Sequence, residues 1–473
     1  MSEVIKIPEL ITYRLTDAGN ASLIADYVKD RFLYDVDMKQ FMFFNDTYWT
    51  EDKEGLITQE AICAIREQQS KCLKIEDTDI RTKHVKHYIG SENYSRINAA
   101  IKILQTMPDI VVRNSIFDRN DTLFNVLNGT IDLKTKTIKK HDKNDFITRI
   151  SKINYIPGAV CPVFNKFLND IFDSNNNLIE HEQRKLGYCL SGLTSEQKLF
   201  INFGSGCNGK STLIEVYRAL MGNYCINIPI ECLMSKDIPG ISNDIVRLRF
   251  ARLATTGEVE LGKKLAESQA KLLTGGDYIT ARALYSEPIE FRNKSKIMMG
   301  TNHLPGVRGQ EHGMFRRFDI TPFNVIIPKS KIDKNLFNKL LQELPGILNW
   351  ALDGFFKWQE HGLGEYQEII QSVENYRVSQ DPIATFVNEC CDKGSDLKVN
   401  ASLLYQEYKN WCQDNNEFAL SQRKFGTALN ERGFTKWNST GNKVMYAGLT
   451  LKDEAGTECD LPVGLFDNPK EAS

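Results

Sequence analysis

The residues best suited to chemistry lie in one short run. Gly204-Ser205-Gly206-Cys207-Asn208-Gly209-Lys210-Ser211 carries the pattern G-x-x-x-x-G-K-S, followed by Thr212. Glycines let backbone N–H groups converge on phosphate oxygens, and a helix starting at Lys210 points the positive end of its dipole at the same charge. Lys210 can then reach the β- and γ-phosphates of ATP, and the Ser211 hydroxyl can ligate Mg²⁺. The flanks fit this reading. Leu199 to Phe203 is an apolar run short enough for a buried strand, and Leu213, Ile214, Val216, Tyr217, Leu220 and Met221 recur at helical spacing. An ordinary glycine turn before a helix is the bland alternative, and it requires neither the Lys-Ser pair nor these flanks.

Further candidates follow downstream. Glu258 lies 48 residues beyond Lys210 (258 − 210), after the apolar run Leu253-Ala-Thr-Thr, with Glu260 close behind. A strand ending in a carboxylate can sit beside the phosphate loop, hold Mg²⁺ through water and polarise an attacking water, with Glu258 preferred over Glu260. Ile297-Met-Met-Gly-Thr-Asn302 is another apolar strand, and an Asn at its carboxyl end can face a γ-phosphate. Arg316 and Arg317 lie between apolar residues, and one of them could reach a neighbouring subunit's nucleotide. Between these points, Ile279 to Leu284 and Ile289 to Phe291 alternate around Tyr285-Ser-Glu-Pro288, which reads as a hairpin. Arg282, with Lys271, Arg292, Lys294 and Lys296 nearby, could follow a phosphodiester backbone. A structural ribbon with solvated charges fits the same residues.

The elements that must position these residues divide a long chain. Its 473 residues suggest about three domains. Composition is that of a soluble globular protein, with 41% hydrophobic and 25% charged residues. The net charge of −2 excludes a uniformly basic surface, so any nucleic-acid contact must be local. The N-terminus lacks the apolar core of a signal peptide and no run of eighteen apolar residues occurs, so a cytoplasmic location without membrane contact is expected. Eleven scattered cysteines without a C-x-x-C pair read as reduced thiols, not as zinc ligands or a disulfide framework.

Residues 1–155 read as one α+β domain. Its features are a helix over Ala21 to Phe32 preceded by Thr16, a hairpin at Phe41 to Trp49, and a second hairpin at Asn128-Gly129, where Asn-Gly tolerates positive φ. His84 and His87, among Arg81, Lys83 and Lys86, read as part of a solvated face. Residues 156–195 form a helical spacer, two helices about the turn at 173–177. The α/β phosphate-loop domain is expected at 196–360. A smaller domain spans 381–450, with a helix at Ala401 to Asn415 striped by Leu403, Leu404, Tyr408 and Trp411. A second helix capped by Ser421 and a hairpin over 435–447 complete a winged-helix outline. Arg423, Lys424, Arg432, Lys436 and Lys443 against Glu431 make residues 421–443 locally basic, and Arg423, Lys424, Lys436 and Lys443 are candidates for DNA contact. The tail at 451–473 is acidic and expected to be flexible.

In order, GSGCNGKS, TTGEVE, AKLLTGGDYITARALYSEPIEF, KIMMGTNHLP and MFRRFDI resemble the motifs of superfamily 3 helicases of phage, plasmid and poxvirus replication. The match covers about 196–323. Looser similarity to the region preceding the helicase in phage and plasmid primase–helicases extends it to most of 10–360. The resemblance implies an AAA+-like ring, usually a homo-hexamer, with ATP and Mg²⁺ bound between subunits and hairpins following single-stranded DNA 3′-to-5′. It gives Lys210 and Ser211 the nucleotide and metal, Glu258 the attacking water, Asn302 the γ-phosphate, and Arg317 the role of arginine finger, with Arg316 next in line. A phage or other mobile element in a bacterial host is the expected setting, and a separate primase or other replication protein is a candidate partner. No N-terminal primase domain is expected here, because the chain has neither room nor a carboxylate pair for one. The rival reading is an origin-binding initiator that contacts duplex DNA and uses ATP only to control assembly. A P-loop small-molecule kinase fits the paired arginines and the basic hairpin poorly.

Overall fold

The computed structural model describes residues 13–235, 243–282, 288–307, 312–415, 419–439 and 443–452. They fall into two compact units, Met1–Val373 and Glu374–Ser473.

The first unit begins with helix Asp17–Val28, whose Thr16 side chain accepts a bond from the Gly19 N–H. The helix stops at Val28, short of the expected Phe32. Asp30 adopts φ +70°, and the chain turns there into β1 (Phe32–Asp35). β1 joins β2 (Gln40–Phe44), β3 (Trp49–Glu51) and β4 (Val111–Val112) in the order β3-β2-β1-β4. Helices Leu56–Cys72, Thr78–Ser91 and Tyr94–Leu104 share an apolar core with this sheet and with helix Asp17–Val28. The histidines of Thr78–Ser91 do not form a solvated face. His84 is buried, and His87 lies within 3.0 Å of the Asn20 side chain, while Lys83 and Lys86 point outward. A 3.6-residue period sends positions 84, 88 and 91 to the core together.

A three-stranded meander of β5 (Leu123–Val126), β6 (Gly129–Asp132) and β7 (Thr137–Lys139) turns at Asn128-Gly129, with Gly129 at φ +151°. Helices Pro162–Phe172 and Asn176–Leu190 follow, the second capped by Asn175. Asn176–Leu190 then packs backbone to backbone on helix Leu344–His361. A Cβ on Gly187 would lie 2.2 Å from the Phe355 nitrogen, and one on Gly354 would lie 2.0 Å from the Gln183 carbonyl oxygen. Only glycine permits that approach at either position.

The centre of the unit is a sheet of five parallel strands: β8 (Leu199–Phe203), β9 (Cys225–Ile228), β10 (Leu253–Thr256), β13 (Lys296–Thr301) and β14 (Phe318–Pro322). Its order is β14-β8-β13-β10-β9, with every pairing parallel. The strand leading to Glu258 and the strand leading into the glycine loop are one strand apart. β13 lies between β10 and β8. Lys296 to Met299 are all buried, which suits a strand covered on both faces. β11 (Tyr278–Ala281) and β12 (Ile289–Arg292) form the expected antiparallel hairpin, and its turn, 283–287, lies outside the described residues.

The second unit holds helices Pro382–Cys390, Ala401–Asp414 and Gln422–Glu431 with a sheet ordered β15-β17-β16: β15 (Cys391–Asn400), β16 (Thr435–Asn438) and β17 (Val444–Leu451). Strand β15 is absent from the helix, turn, helix, wing outline because its polar sequence, CDKGSDLKVN, carries no apolar alternation. The buried stripe of Ala401–Asp414 is Ala401, Leu404, Tyr408 and Cys412, and Leu403 faces solvent. Ser421 occupies the N-cap position of Gln422–Glu431 without a side-chain bond, contrary to the expected cap. Nearly all of the acidic tail lies outside the described residues.

Candidate functional site

Three parallel strands end at one edge of the central sheet, and each carries a candidate residue past its carboxyl end. β8 leads into the glycine loop. Gly206, Cys207 and Gly209 have φ of +101°, +49° and +84°. A Cβ on Gly204 would meet the Phe323 carbonyl oxygen at 2.4 Å, so the loop closes only on glycine there. Asn208 is buried, and its Nδ2 donates to the Phe323 carbonyl at 3.1 Å, which fixes the loop to the end of β14.

Helix Lys210–Met221 starts from Gly209 with no side-chain cap, which leaves first-turn N–H groups for an anion. Ser211 and Ser205 are exposed at the loop, as is Cys207, and Thr212 is half-buried. Lys210 is buried. Its ammonium donates to the Gly204 carbonyl at 2.5 Å, to Asn302 Oδ1 at 3.0 Å and to Asn208 Oδ1 at 3.2 Å. Burial holds its pKa below the ordinary lysine value, and the nearby Glu258 carboxylate opposes that shift. The three acceptors hold the ammonium inside the cradle, where phosphate oxygens could replace them. The donor set fits a nucleoside triphosphate: uncapped helix N–H groups, a lysine aimed inward and an exposed serine hydroxyl suited to a hard cation.

Asn302 connects two strands' worth of chemistry. Its Oδ1 accepts from Lys210, and its Nδ2 donates to Glu258 Oε2 at 3.3 Å. Glu258 is thereby joined to the loop despite the intervening strand. Glu260 diverges: its carboxylate lies 3.5 Å from Lys263 in an exposed pair. Buried Val259 between them, whose N–H donates to Thr301 Oγ1 at 3.3 Å, separates the two carboxylates.

The arginines also differ. Arg316 is exposed, and its carbonyl accepts from Lys198 Nζ at 2.8 Å. Arg317 is half-buried, with Nη1 donating to Thr274 Oγ1 at 2.9 Å at the end of helix Glu267–Gly275, just before the hairpin. Burial and the neighbouring Arg316 lower its pKa from the usual arginine value, while Asp277 acts in the opposite sense.

The basic residues about the hairpin do not form one row. Arg282 is exposed at the end of β11, and Lys271 lies half-buried on helix Glu267–Gly275. Lys294 is committed elsewhere: its ammonium is 2.6 Å from Asp121 Oδ1 and donates to the Asp118 carbonyl at 2.5 Å, which ties the strand start to the front of the unit. That engagement argues against the expected DNA contact. Lys296 is buried and donates to the Ser191 carbonyl. In the second unit Arg423, Lys424, Lys436 and Lys443 are exposed, while Arg432 pairs with Asp381 at 2.6 Å.

A buried polar network beneath the loop is not evident in the sequence. Lys185 pairs with Glu182, and its Nζ donates to Thr321 Oγ1 at 2.8 Å and Asn202 Oδ1 at 3.3 Å. Tyr217 donates to Glu182 Oε2 at 2.9 Å. It joins the spacer helix, the loop strand, the loop helix and β14. In sequence, Glu182 and Lys185 look like any exposed i,i+3 pair.

Comparison with known proteins gives the site a context. Residues 21–173 match a family model described as D5 N terminal like, and residues 379–455 match one described as poxvirus D5 protein-like. The chain resembles the poxvirus D5-like primase–helicases. A putative helicase of Acanthamoeba polyphaga mimivirus is 28% identical over 323 residues, covering 63% of this chain and 34% of that protein. A putative helicase of Invertebrate iridescent virus 3 is 24% identical over 358 residues, covering 68% and 38%. The primase D5 of Fowlpox virus (strain NVSL) is 23% identical over 243 residues, covering 48% and 30%. The chain thus spans about a third of the length of these relatives. An apo structure of the NrS-1 C-terminal region aligns over 92% of this chain and 100% of its own, with a TM-score of 0.51 at 9% identity, a likeness of fold. Among the described residues, no helix is long and apolar enough to cross a membrane.

Proposed function

We propose that this chain is an ATP-driven DNA translocase of the superfamily 3 type, acting in replication of a virus or other mobile element. The observation that carries this reading is the convergence of Lys210, Asn302 and Glu258 at one edge of a parallel sheet ordered β14-β8-β13-β10-β9. The names of the viral relatives, putative helicase and primase, support the replication role. In this reading the glycine loop and Ser211 hold ATP and Mg²⁺, which supplies Lewis-acid stabilisation of the phosphates. Lys210 neutralises charge on the β- and γ-phosphates, and Asn302 orients the γ-phosphate. Glu258 accepts a proton from the attacking water. A ring, taken as a homo-hexamer by resemblance, places an exposed arginine of one subunit on the ATP of the next. Arg316 suits that role better than Arg317, which is held by Thr274. The C-terminal unit is read as a winged helix.

The test is ATP hydrolysis by the wild type and by Lys210→Ala, with and without single-stranded DNA. The reading predicts turnover that rises with DNA and is abolished in the variant. Turnover indifferent to DNA would sink it. The initiator reading is favoured by the separate C-terminal unit with its exposed cations. It predicts instead duplex binding that survives Lys210→Ala, with little hydrolysis.

A further inference from the structure

The second unit contains a polar cleft of about 470 Å³, lined only by residues of that unit. One wall is helix Gln422–Glu431, through Gln422, Arg423, Thr427 and Asn430. The other is the sheet, through Lys436 of β16 and Tyr446 of β17, with Ser402 at one end. Lys436 and Tyr446 are register partners, so their side chains leave the same face. The floor is tight, because a Cβ on Gly426 would sit 2.6 Å from the Tyr446 hydroxyl.

The lining specifies a ligand class. It includes two cations and no carboxylate. Neither Arg423 nor Lys436 forms an ion pair among the described residues, and both are exposed. Two uncompensated positive charges beside neutral amides and hydroxyls suit a phosphate bearing a hydrogen-bonding group, which is the chemistry of a nucleotide. The volume lies in the range of small-ligand sites, roughly 300–1,000 Å³. A double helix cannot enter such a cleft. Arg423, Thr427 and Asn430 line its wall and are exposed, so they are open to a strand laid along the cleft. Outside the cleft, Lys424 and Lys443 are exposed and likewise without an ion pair among the described residues, so the strand can continue beyond one nucleotide.

We infer that this cleft takes one unpaired nucleotide of a DNA strand, with its phosphate between Arg423 and Lys436 and its base edge toward Asn430, about two helical turns further along the same wall. It makes the expected DNA contact of Arg423 and Lys436 a contact with a single strand, and it does not depend on ATP hydrolysis.

The experiment uses the full chain without ATP and a short oligothymidylate containing photoreactive bromodeoxyuridine. Crosslinked peptides are mapped by mass spectrometry, which separates this cleft from any other site on the chain. The inference predicts crosslinks within residues 422–446. An Arg423→Gln/Lys436→Gln double variant with an unchanged melting curve should weaken that crosslink at least about tenfold, because each charge-assisted contact contributes on that order. For binding measured at this site, it should lower the slope of log affinity against log salt by about 0.7, the single-strand increment for the one phosphate that the two cations share. Excess thymidine monophosphate should compete weakly and a blunt duplex hardly at all. Crosslinks confined to other regions, or insensitive to the double variant, overturn the inference. So does competition by the duplex equal to that by the single strand, which returns the groove reading, or full competition by the mononucleotide, which makes this a free-nucleotide site.

Discussion

Arg317 donates to Thr274 Oγ1 at 2.9 Å, so the residue just before strand β14 is bonded to the end of the helix that leads into the β11–β12 hairpin. Thr274 is buried and Arg317 half-buried, whereas Arg316 is exposed. Adjacent arginines thus divide into one that turns inward and one that faces out.

That division gives a mixing experiment. Arg316→Ala should lower DNA-stimulated ATP turnover by roughly 10³-fold or more, the scale of a lost arginine finger. Adding Lys210→Ala subunits, inactive but with Arg316 intact, should restore part of it, because the finger then comes from a neighbour. Arg317→Ala should also impair stimulation, but with no rescue on mixing, since its bond to Thr274 lies within one subunit. Rescue of Arg317→Ala and not of Arg316→Ala reverses the two roles.

Asn302 bridges Lys210 and Glu258, at 3.0 and 3.3 Å. Asn302→Ala should leave nucleotide affinity nearly unchanged and cut turnover about 10²–10³-fold, the usual cost of losing one donor aimed at developing charge. Glu258→Gln should retain ATP binding and abolish hydrolysis, and Glu260→Gln should do little, because Glu260 pairs with Lys263 away from the loop. Equilibrium binding of a fluorescent ATP analogue, read beside steady-state turnover, separates these effects.

Much of this arrangement was legible in the residues themselves. Asn128-Gly129 demanded a turn with positive φ, and the run from Leu199 to Met221 demanded a strand, a loop and a helix. These are local requirements, met within a few residues. Placement across the sheet was not local. The insertion of β13 between β8 and β10 cannot be read from burial, because all three strands are almost wholly buried, and it belongs to the pairing of the assembled sheet. The fate of Lys294 was equally hidden, since its partner Asp121 lies 173 residues earlier (294 − 121). Strand β15 went unread because its polar sequence pairs through backbone bonds to β17.

The buried network around Glu182 and Lys185 yields a stability prediction. Both side chains are fully buried, so removing one partner leaves an uncompensated charge in a low-dielectric site. Lys185→Met should destabilise the unit by roughly 3–5 kcal/mol, whereas Lys185→Met combined with Glu182→Leu should cost less than the sum of the single changes. Calorimetric melting of the four proteins gives the coupling directly. Additive losses would show that the two charges do not depend on each other.

Lys296 makes the last prediction, and its sign follows from burial. The side chain starts β13, donates to the Ser191 carbonyl and lies 5.0 Å from the Tyr188 ring centroid. Burial lowers its pKa from 10.5 to about 7, with the nearby Cys189 thiol acting in the opposite sense. In the unfolded chain the amine keeps its ordinary affinity for protons, so between about pH 7 and 10.5 the unfolded state binds more protons than the folded one. The contribution of Lys296 to stability must therefore rise with pH across that window. Below pH 7 both states are protonated and the penalty of the buried charge is fully present; above 10.5 both are neutral and it is gone. Lys296→Met removes this dependence. Whatever its offset from losing the bond to Ser191, the wild type should gain in melting temperature relative to the variant as pH is raised from 7 toward 10. Parallel melting curves across that range would show that Lys296 keeps an ordinary proton affinity inside the sheet.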